Sequence, residues 1–548
     1  MSLDIFERND ELVIEAFRNG DFDYLEGASD IDETDFFRDL IERSLLKQLA
    51  ESYPNPREKN DVPVWLHLGH YLTMNFHGEH AFHALPGLLC YGGLINALGA
   101  EAGHRVKHPV TGKVTLECKG YNHKNEYSRE TPCDQDTSRK FARETPAEAL
   151  WTWYESSVVS ILRQHKAFDS EGIFIGDGSY LFVPDNPAYE GSELLWFDEH
   201  NKPAEAPKTK AGRAGKRQRR CYKLVSLLHT NRARDYFIYA GLAVVPPSWH
   251  ESPVFFAMLD RIATEHPGLI KKVILDRGFF SGEDLHHHKK NHGIDFLVPL
   301  KKGTRAYADA MQLLGEVRWQ PYAKPAPEPK EPPPNRPAHI IKREAARQRT
   351  LAAKKAMRVE PVPPPKQSAK SEVGVLEALT SWKSFQWPFH LVANRETDEQ
   401  GQVEHWFLLS TEPIRNPHDK RDEYGIRTEI EERHRQLKCF WDITDFHSRS
   451  LSLVCNHVIF VALTYSLIQL YLRRQRETAL ANRANLQKIL RARATYVIIY
   501  YMNYYAVLTP LEHQELVVTL NKTAAKKILA KTRKLKAQLK NALPNPRP

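Results

Sequence analysis

The chain has little cysteine: six in 548 residues, and no two of them form a Cys-x-x-Cys pair. That scatter argues against a disulfide framework and for reduced thiols in a cytosol. Long uninterrupted apolar runs are also lacking. The nearest, from Leu451 to Tyr471, is broken by Asn456, His457 and Gln469 and carries Ser452 and Ser466. It reads as a core helix rather than a membrane span. The opening Met-Ser-Leu-Asp-Ile-Phe-Glu is acidic and has no apolar centre, so no secretory signal is expected. Neither charge dominates. Lys plus Arg number 77 against 68 acids, and the net +9 permits a nucleic-acid partner without requiring one. With 41% hydrophobic and 26% charged residues, the chain has the composition of a soluble globular protein. Its length suggests about three to four domains.

Three stretches do carry chemistry. Two are short apolar runs that end in an acid: Ile173-Phe-Ile-Gly-Asp177-Gly-Ser-Tyr180 and Lys272-Val-Ile-Leu-Asp276-Arg-Gly-Phe279. Their β-branched residues and nearby glycine predict buried strands. An acid at the end of a buried strand is costly unless it is paired or binds a metal. The third stretch, Tyr424 to Lys438, lacks proline and is rich in Glu, Arg and Gln, which predicts a helix. On one continuous helix, Arg427, Glu431 and Lys438 fall at roughly 300°, 340° and 320° from Tyr424. One carboxylate then shares a stripe with a phenol and two cations, while Glu429 and Glu432 point elsewhere. The plainer reading is a solvated helix with a Glu431–Arg435 ion pair. Two aspartates and one glutamate form a hard-oxygen set suited to two Mg²⁺ or Mn²⁺ ions.

In these residues the chain resembles the DDE transposases, and more narrowly the cut-and-paste insertion-sequence transposases whose third motif is Tyr-x2-Arg-x3-Glu-x6-Lys. Tyr424, Arg427, Glu431 and Lys438 match its fixed positions, and Asp177-Gly-Ser-Tyr and Asp276-Arg-Gly-Phe resemble the first and second motifs. The resemblance covers roughly residues 170 to 475. It implies an RNase H-like α/β core, a mixed sheet flanked by helices, with helical N- and C-terminal regions and an insertion between the second Asp and the Glu. Asp177, Asp276 and Glu431 would be the catalytic, metal-holding acids. Tyr424, Arg427 and Lys438 would hold phosphate or a displaced base, with a DNA hairpin or direct joining both left open. The implied partners are the terminal inverted repeats and the target DNA, with a homodimer in the DNA complex, no membrane, and a cytoplasmic, nucleoid-associated setting in a bacterium. A nuclease without strand transfer, or a non-catalytic DNA-binding derivative, are the alternatives.

The rest of the chain is divided accordingly. Residues 1–165 are a helical region for DNA-end binding or oligomerisation. Residues 166–301 are the first part of the core. Residues 302–415 are the insertion, with a Pro/Lys/Arg-rich linker (321–372) and strands at Phe389–Asn394 and His405–Ser410. Residues 416–475 carry the Glu-bearing helix and the next helix, and 476–548 form a helical, basic C-terminal region. Lys208 to Arg220 contains no acid and reads as a flexible loop for phosphates, through Lys210, Arg213, Lys216, Arg217, Arg219 and Arg220. Trp382, Trp387 and Trp406 could stack on an unpaired base or belong to the core. Cys118, His123 and Cys133, with His104 and His108 ahead of them, match no zinc-finger spacing, and loop and cap chemistry is expected there.

Overall fold

The computed structural model describes residues 7–531, apart from 29–32, 61, 86–87, 90–92, 99–103, 108–109, 111–113, 118–132, 208, 210–214, 324–369, 399, 485, 488–489, 491–495 and 509. Lys210, Arg213, His108, Cys118, His123, most of the Pro-rich linker and the end of the basic tail lie outside the described residues. The chain forms two compact units: residues 1–271 with 428–548, and residues 272–427.

In the first unit, helices α1 (Val64–His77) and α2 (Gln135–Glu144) precede a sheet of four strands: β1 (Ile173–Val183), β2 (Glu193–Phe197), β3 (Arg217–Thr230) and β4 (Phe237–Val245). The fourteen-residue β3 is the spine. It pairs antiparallel with β1 along one edge, and with β2 and then β4 along the other. Helix α3 (Glu251–Glu265) follows.

The second unit has a mixed sheet. β5 (Lys272–Ile274) runs parallel to β6 (Asp295–Pro299). Three strands of the expected insertion continue it antiparallel: β7 (Lys370–Leu379), β8 (Phe389–Thr397) and β9 (Val403–Ser410), with β9 next to β6 and β8 between β9 and β7. Helix α4 (Pro417–Tyr424) closes this unit, started by the Asn416 cap and Pro417. Strands flanked by helices make this the α/β class expected.

The chain returns to the first unit with α5 (Thr428–Phe440) and α6 (Leu451–Arg474). By length and composition α6 could cross a membrane, but 83% of its most apolar window is buried inside the fold. It packs on β4, whose nine residues are all buried. The polar residues that interrupt the apolar run have a use here. Ser466 Oγ accepts the Tyr239 amide at 3.1 Å, and Gln469 Oε1 accepts the Phe237 amide at 3.3 Å. Buried N–H groups of β4 are satisfied by the helix that covers it.

The chain ends differ from the helical expectation. Tyr496–Tyr501 and Tyr504–Leu508 form a hairpin, and Glu7–Arg8 and Tyr24–Ala28 join its two edges. Tyr-Val-Ile-Ile-Tyr-Tyr is β-branched and aromatic throughout, which suits a half-buried pleat better than a helix. Val13, Phe17, Ile499 and Ala506 fill the core beneath. A second hairpin, His104–Lys107 with Val114–Glu117, lies in the stretch expected to be irregular.

The second unit buries an ionic network. Lys272 donates to Glu423 at 2.7 Å and pairs with Glu412, and Lys420 donates to Glu423 at 2.8 Å. Burial alone would raise the Glu423 pKa, but Lys420 and Lys272 more than offset it and the net shift is downward. A depressed carboxylate pKa stabilises above the unfolded value of roughly 4.3, and that contribution is lost as pH falls through the folded pKa. Lys272→Ala should leave a buried carboxylate under-compensated and cost roughly 3–5 kcal/mol. Urea titration at pH 7 would read this loss, which should shrink as the pH is lowered toward 3.

Candidate active site

Asp177 follows four buried positions on β1 and is itself half-buried. Strand alternation puts Asp177 and Ser179 on one face and Gly178 and Tyr180 on the other. Ser226 of β3 stands opposite Asp177. Helix α5 packs against β1, and two of its side chains reach the Asp177 face. His434, only 4% exposed, has Nε2 2.8 Å from Ser226 Oγ and Nδ1 3.6 Å from Asp177 Oδ2. Lys438 donates to Ser179 Oγ at 2.6 Å. Burial pulls the Lys438 amine down to about 8, although Asp177 draws it the other way.

Glu431 precedes His434 by three residues and Lys438 by seven, so all three share one helical stripe about 60° wide. Glu431 itself is exposed. The ion pair of the plainer reading takes another course, because Arg435 clamps Glu432 at 2.6 and 2.7 Å. That guanidinium holds the Glu432 carboxyl down to about 2. Glu429 faces Arg433 at 3.6 Å and Arg234 at 3.8 Å. The acids flanking Glu431 are thus committed to cations.

The helix carrying the third motif is not continuous. α4 ends at Tyr424, a 3-10 turn spans Gly425–Arg427, and α5 starts at Thr428. The single-stripe geometry drawn on one continuous helix therefore applies within α5, to Glu431 and Lys438, while Tyr424 and Arg427 belong to the second unit. There the Arg427 guanidinium lies 6.0 Å from the Tyr424 ring centre. Burial pushes the Tyr424 phenol up to about 12, and Arg427 opposes this while Asp276 adds to it. Asp276 sits just past β5, where its Oδ1 accepts the Arg277 amide at 2.7 Å and caps a 3-10 turn.

On the opposite face of β1, a Cβ on Gly178 would lie 2.8 Å from Glu251 Oε2. Glycine here admits the first turn of α3. Glu251 in turn stands 3.7 Å from Lys223, and Lys223 also donates to the Trp249 carbonyl at 2.6 Å. Burial, and secondarily Glu251, raises the Tyr180 phenol to about 12.

The basic segment is partly ordered strand. Arg217, Arg219 and Arg220 open β3 rather than lying in a loop. Arg217 and Arg219 both donate to the amide oxygen of Asn201, at 2.7 and 2.9 Å, and Arg219 lies 3.4 Å over the Phe182 ring. Arg220 is paired with Asp185, and Lys216 donates to the Glu205 carbonyl. Among the tryptophans, Trp382 stacks on Phe280 at 4.5 Å and 5° and packs against Gly282. Trp406 donates to Glu396 and has Arg421 5.4 Å from its ring, whereas Trp387 is 44% exposed.

His434, Ser226, Glu251 and Lys223 were not legible as site residues. The usable signals were the i,i+3 spacing of His434 from Glu431 and the glycine immediately after Asp177. Compared with known families, residues 189–467 match the family described as Transposase DDE domain, a span that begins after Asp177 and includes Asp276 and Glu431. No curated protein matches the chain.

The Lys438 amine gives a sign that can be checked. Its folded pKa lies below the unfolded value of about 10.4, so the native state binds fewer protons between roughly pH 8 and 10. Stability therefore rises with pH across that window. Lys438→Met should stabilise the protein by on the order of 2 kcal/mol at pH 7, and the gain should vanish toward pH 10. Thermal melts over that pH range would read it; a gain independent of pH would place the amine in water.

Proposed function

The chain belongs to the transposase DDE domain family, and from that premise we propose that it is the DNA transposase of an insertion sequence, cutting DNA at the ends of its element and joining the released 3′-OH to target DNA. The reading is carried by the contact of α5 with β1, where His434 and Lys438 descend from the Glu431 stripe onto the Asp177 face. It supports one surface on which a strand acid and a helix acid serve together.

DDE transposases use divalent metal ions. The donors here are carboxylates, hard oxygens that fit Mg²⁺ or Mn²⁺ and not a soft metal. On the family's pattern, Asp177, Asp276 and Glu431 would hold two ions. Bound there, the ions supply a water or 3′-OH made nucleophilic and a stabilised leaving oxygen. The chain's own groups do the rest. His434, braced by Ser226, fixes the Asp177 side chain from below. Lys438 presents an amine whose charge attracts phosphate in a site of low dielectric. Tyr424 and Arg427, at the end of their own unit, hold phosphate or a displaced base. Arg217 and Arg219 crowd one uncharged amide and are without an acidic partner among the described residues, so a DNA phosphate would relieve their mutual repulsion. Of Trp382, Trp387 and Trp406, Trp387 is the one exposed for stacking on a base. The working complex would be a homodimer on terminal inverted repeats, in the cytoplasm at the nucleoid.

Purified protein, Mg²⁺ or Mn²⁺, DNA from the flanks of the gene and a target plasmid make the test. Asp177→Asn, Asp276→Asn and Glu431→Gln should each lower nicking by at least about 1000-fold, the scale of removing a group that acts in the transition state, while gel-shift affinity for the ends is kept. A Glu431→Gln protein that still nicks would sink the assignment. Nicks without plasmid-joined product would reduce the protein to a nuclease. Replacing Arg217 and Arg219 together by Ala should flatten the plot of log affinity against log salt by about 1.8, or roughly 0.9 for each phosphate no longer neutralised.

A further inference from the structure

A second set of metal-binding side chains lies in the N-terminal helices, unrelated in chemistry to the acids. Helix α1 carries His67 and His70, three residues apart and therefore on one face. Both are completely buried. Cys133, just ahead of the Asp134 cap of α2, and Ser138 of α2 face them; Cys133 is 3% exposed and Ser138 fully buried. One ligating atom from each of His67, His70 and Cys133 lies within 4.8 Å of the others.

The four groups converge on one point. Ser138 Oγ is 3.1 Å from His67 Nδ1, 2.8 Å from His70 Nδ1 and 3.4 Å from Cys133 Sγ. Cys133 Sγ is 3.8 Å from His70 Nδ1. A hydroxyl donates one hydrogen bond and accepts two, so these contacts draw the four groups together without deciding which tautomer either imidazole takes. Neither imidazole Nε2 has a hydrogen-bond partner among the described residues, so nothing on the outer side fixes either tautomer. The two Cys133 separations, 3.4 and 3.8 Å, also lie close to those of zinc ligands, whereas the shorter Ser138–imidazole distances are those of hydrogen bonds. Zinc bonds of about 2.0–2.1 Å to nitrogen and 2.3 Å to sulfur, at tetrahedral angles, place neighbouring ligand atoms roughly 3.3–3.6 Å apart.

We propose that His67, His70 and Cys133 form a structural zinc site, with the Ser138 hydroxyl or a water in the fourth position, tying α1 to the turn that starts α2. Two nitrogens and a sulfur select a borderline-soft ion such as Zn²⁺ over Mg²⁺. The burial of all four groups keeps substrate away from the fourth position, which marks the site as structural. In sequence the His pair stands more than sixty residues ahead of Cys133, so no finger spacing announces it. Cys133 is thus drawn to α1, and its chain neighbours Cys118 and His123 are not needed to complete the set of three.

The test uses the full-length, tag-free protein purified without chelator. Elemental analysis should find one zinc per chain, and this should persist in Asp177→Asn. Cobalt exchanged for zinc should give a thiolate-to-cobalt charge-transfer band and the intense visible bands of tetrahedral coordination. Cys133→Ser should abolish the charge-transfer band, and Cys133→Ser with His70→Asn should reduce bound zinc to below roughly a tenth of an equivalent. The wild-type cobalt spectrum decides the matter even if the double variant fails to fold. Wild-type protein that takes up neither zinc nor cobalt after incubation with excess metal and gel filtration would overturn the proposal. So would a double variant that keeps its full equivalent.

Discussion

The constraint on which the catalytic reading depends is the cost of seating a carboxylate in a strand whose preceding residues are all buried. Asp177 tolerates that position because α5 brings His434 and Lys438 to the same face of β1, and Ser226 braces the imidazole from the neighbouring strand. Helix and sheet are therefore joined at this point by polar contacts rather than by side-chain packing alone. The lowered pKa of Lys438 records the cost of holding an amine there. Groups kept in place at a cost to stability are what a site needs if it is to meet phosphate without rearranging. The opposite face of β1 repeats the pattern, with Gly178 admitting Glu251 and Lys223 balancing it.

The same economy governs the core below. β4 is buried along its whole length, and α6 supplies both the apolar cover and two acceptors for its amides. Two of the polar residues that interrupt the apolar run of α6, Ser466 and Gln469, are the ones that make it a good partner for a strand. In the second unit, Lys272 and Lys420 neutralise Glu423 and Glu412, so these buried charges are met by counter-charge. The hard-oxygen acids and the nitrogen–sulfur cluster would suit different classes of ion.

Much of this was legible in the sequence, in specific places. The strands that lead to Asp177 and Asp276 declare themselves by apolar, β-branched runs, and α6 by its length, although β1 runs on past Asp177 to Val183 and β5 stops at Ile274. The Glu431 stripe follows from helical periodicity alone. What was not legible depends on chain folding that no local pattern encodes. The turn at Gly425–Arg427 separates Tyr424 and Arg427 from the Glu431 helix, although nothing but one glycine marks it. The terminal sheet pairs residues nearly five hundred positions apart, such as Glu7 with Tyr504. His434 and Ser226 meet only because α5 lies on β1. Arg217, Arg219 and Arg220 read as loop because charge outweighs β-propensity in a local window, yet pairing with β2 makes them strand.

Iron-directed backbone cleavage tests the central claim most directly. Fe²⁺ replaces Mg²⁺ at a hard-oxygen site and, with ascorbate and peroxide, cuts the chain next to where it is bound. Cuts beside Asp177, Asp276 and Glu431 that fade with excess Mg²⁺ are the expected result. Cutting that avoids all three positions, or that excess Mg²⁺ does not suppress, would contradict a catalytic metal site built on these acids.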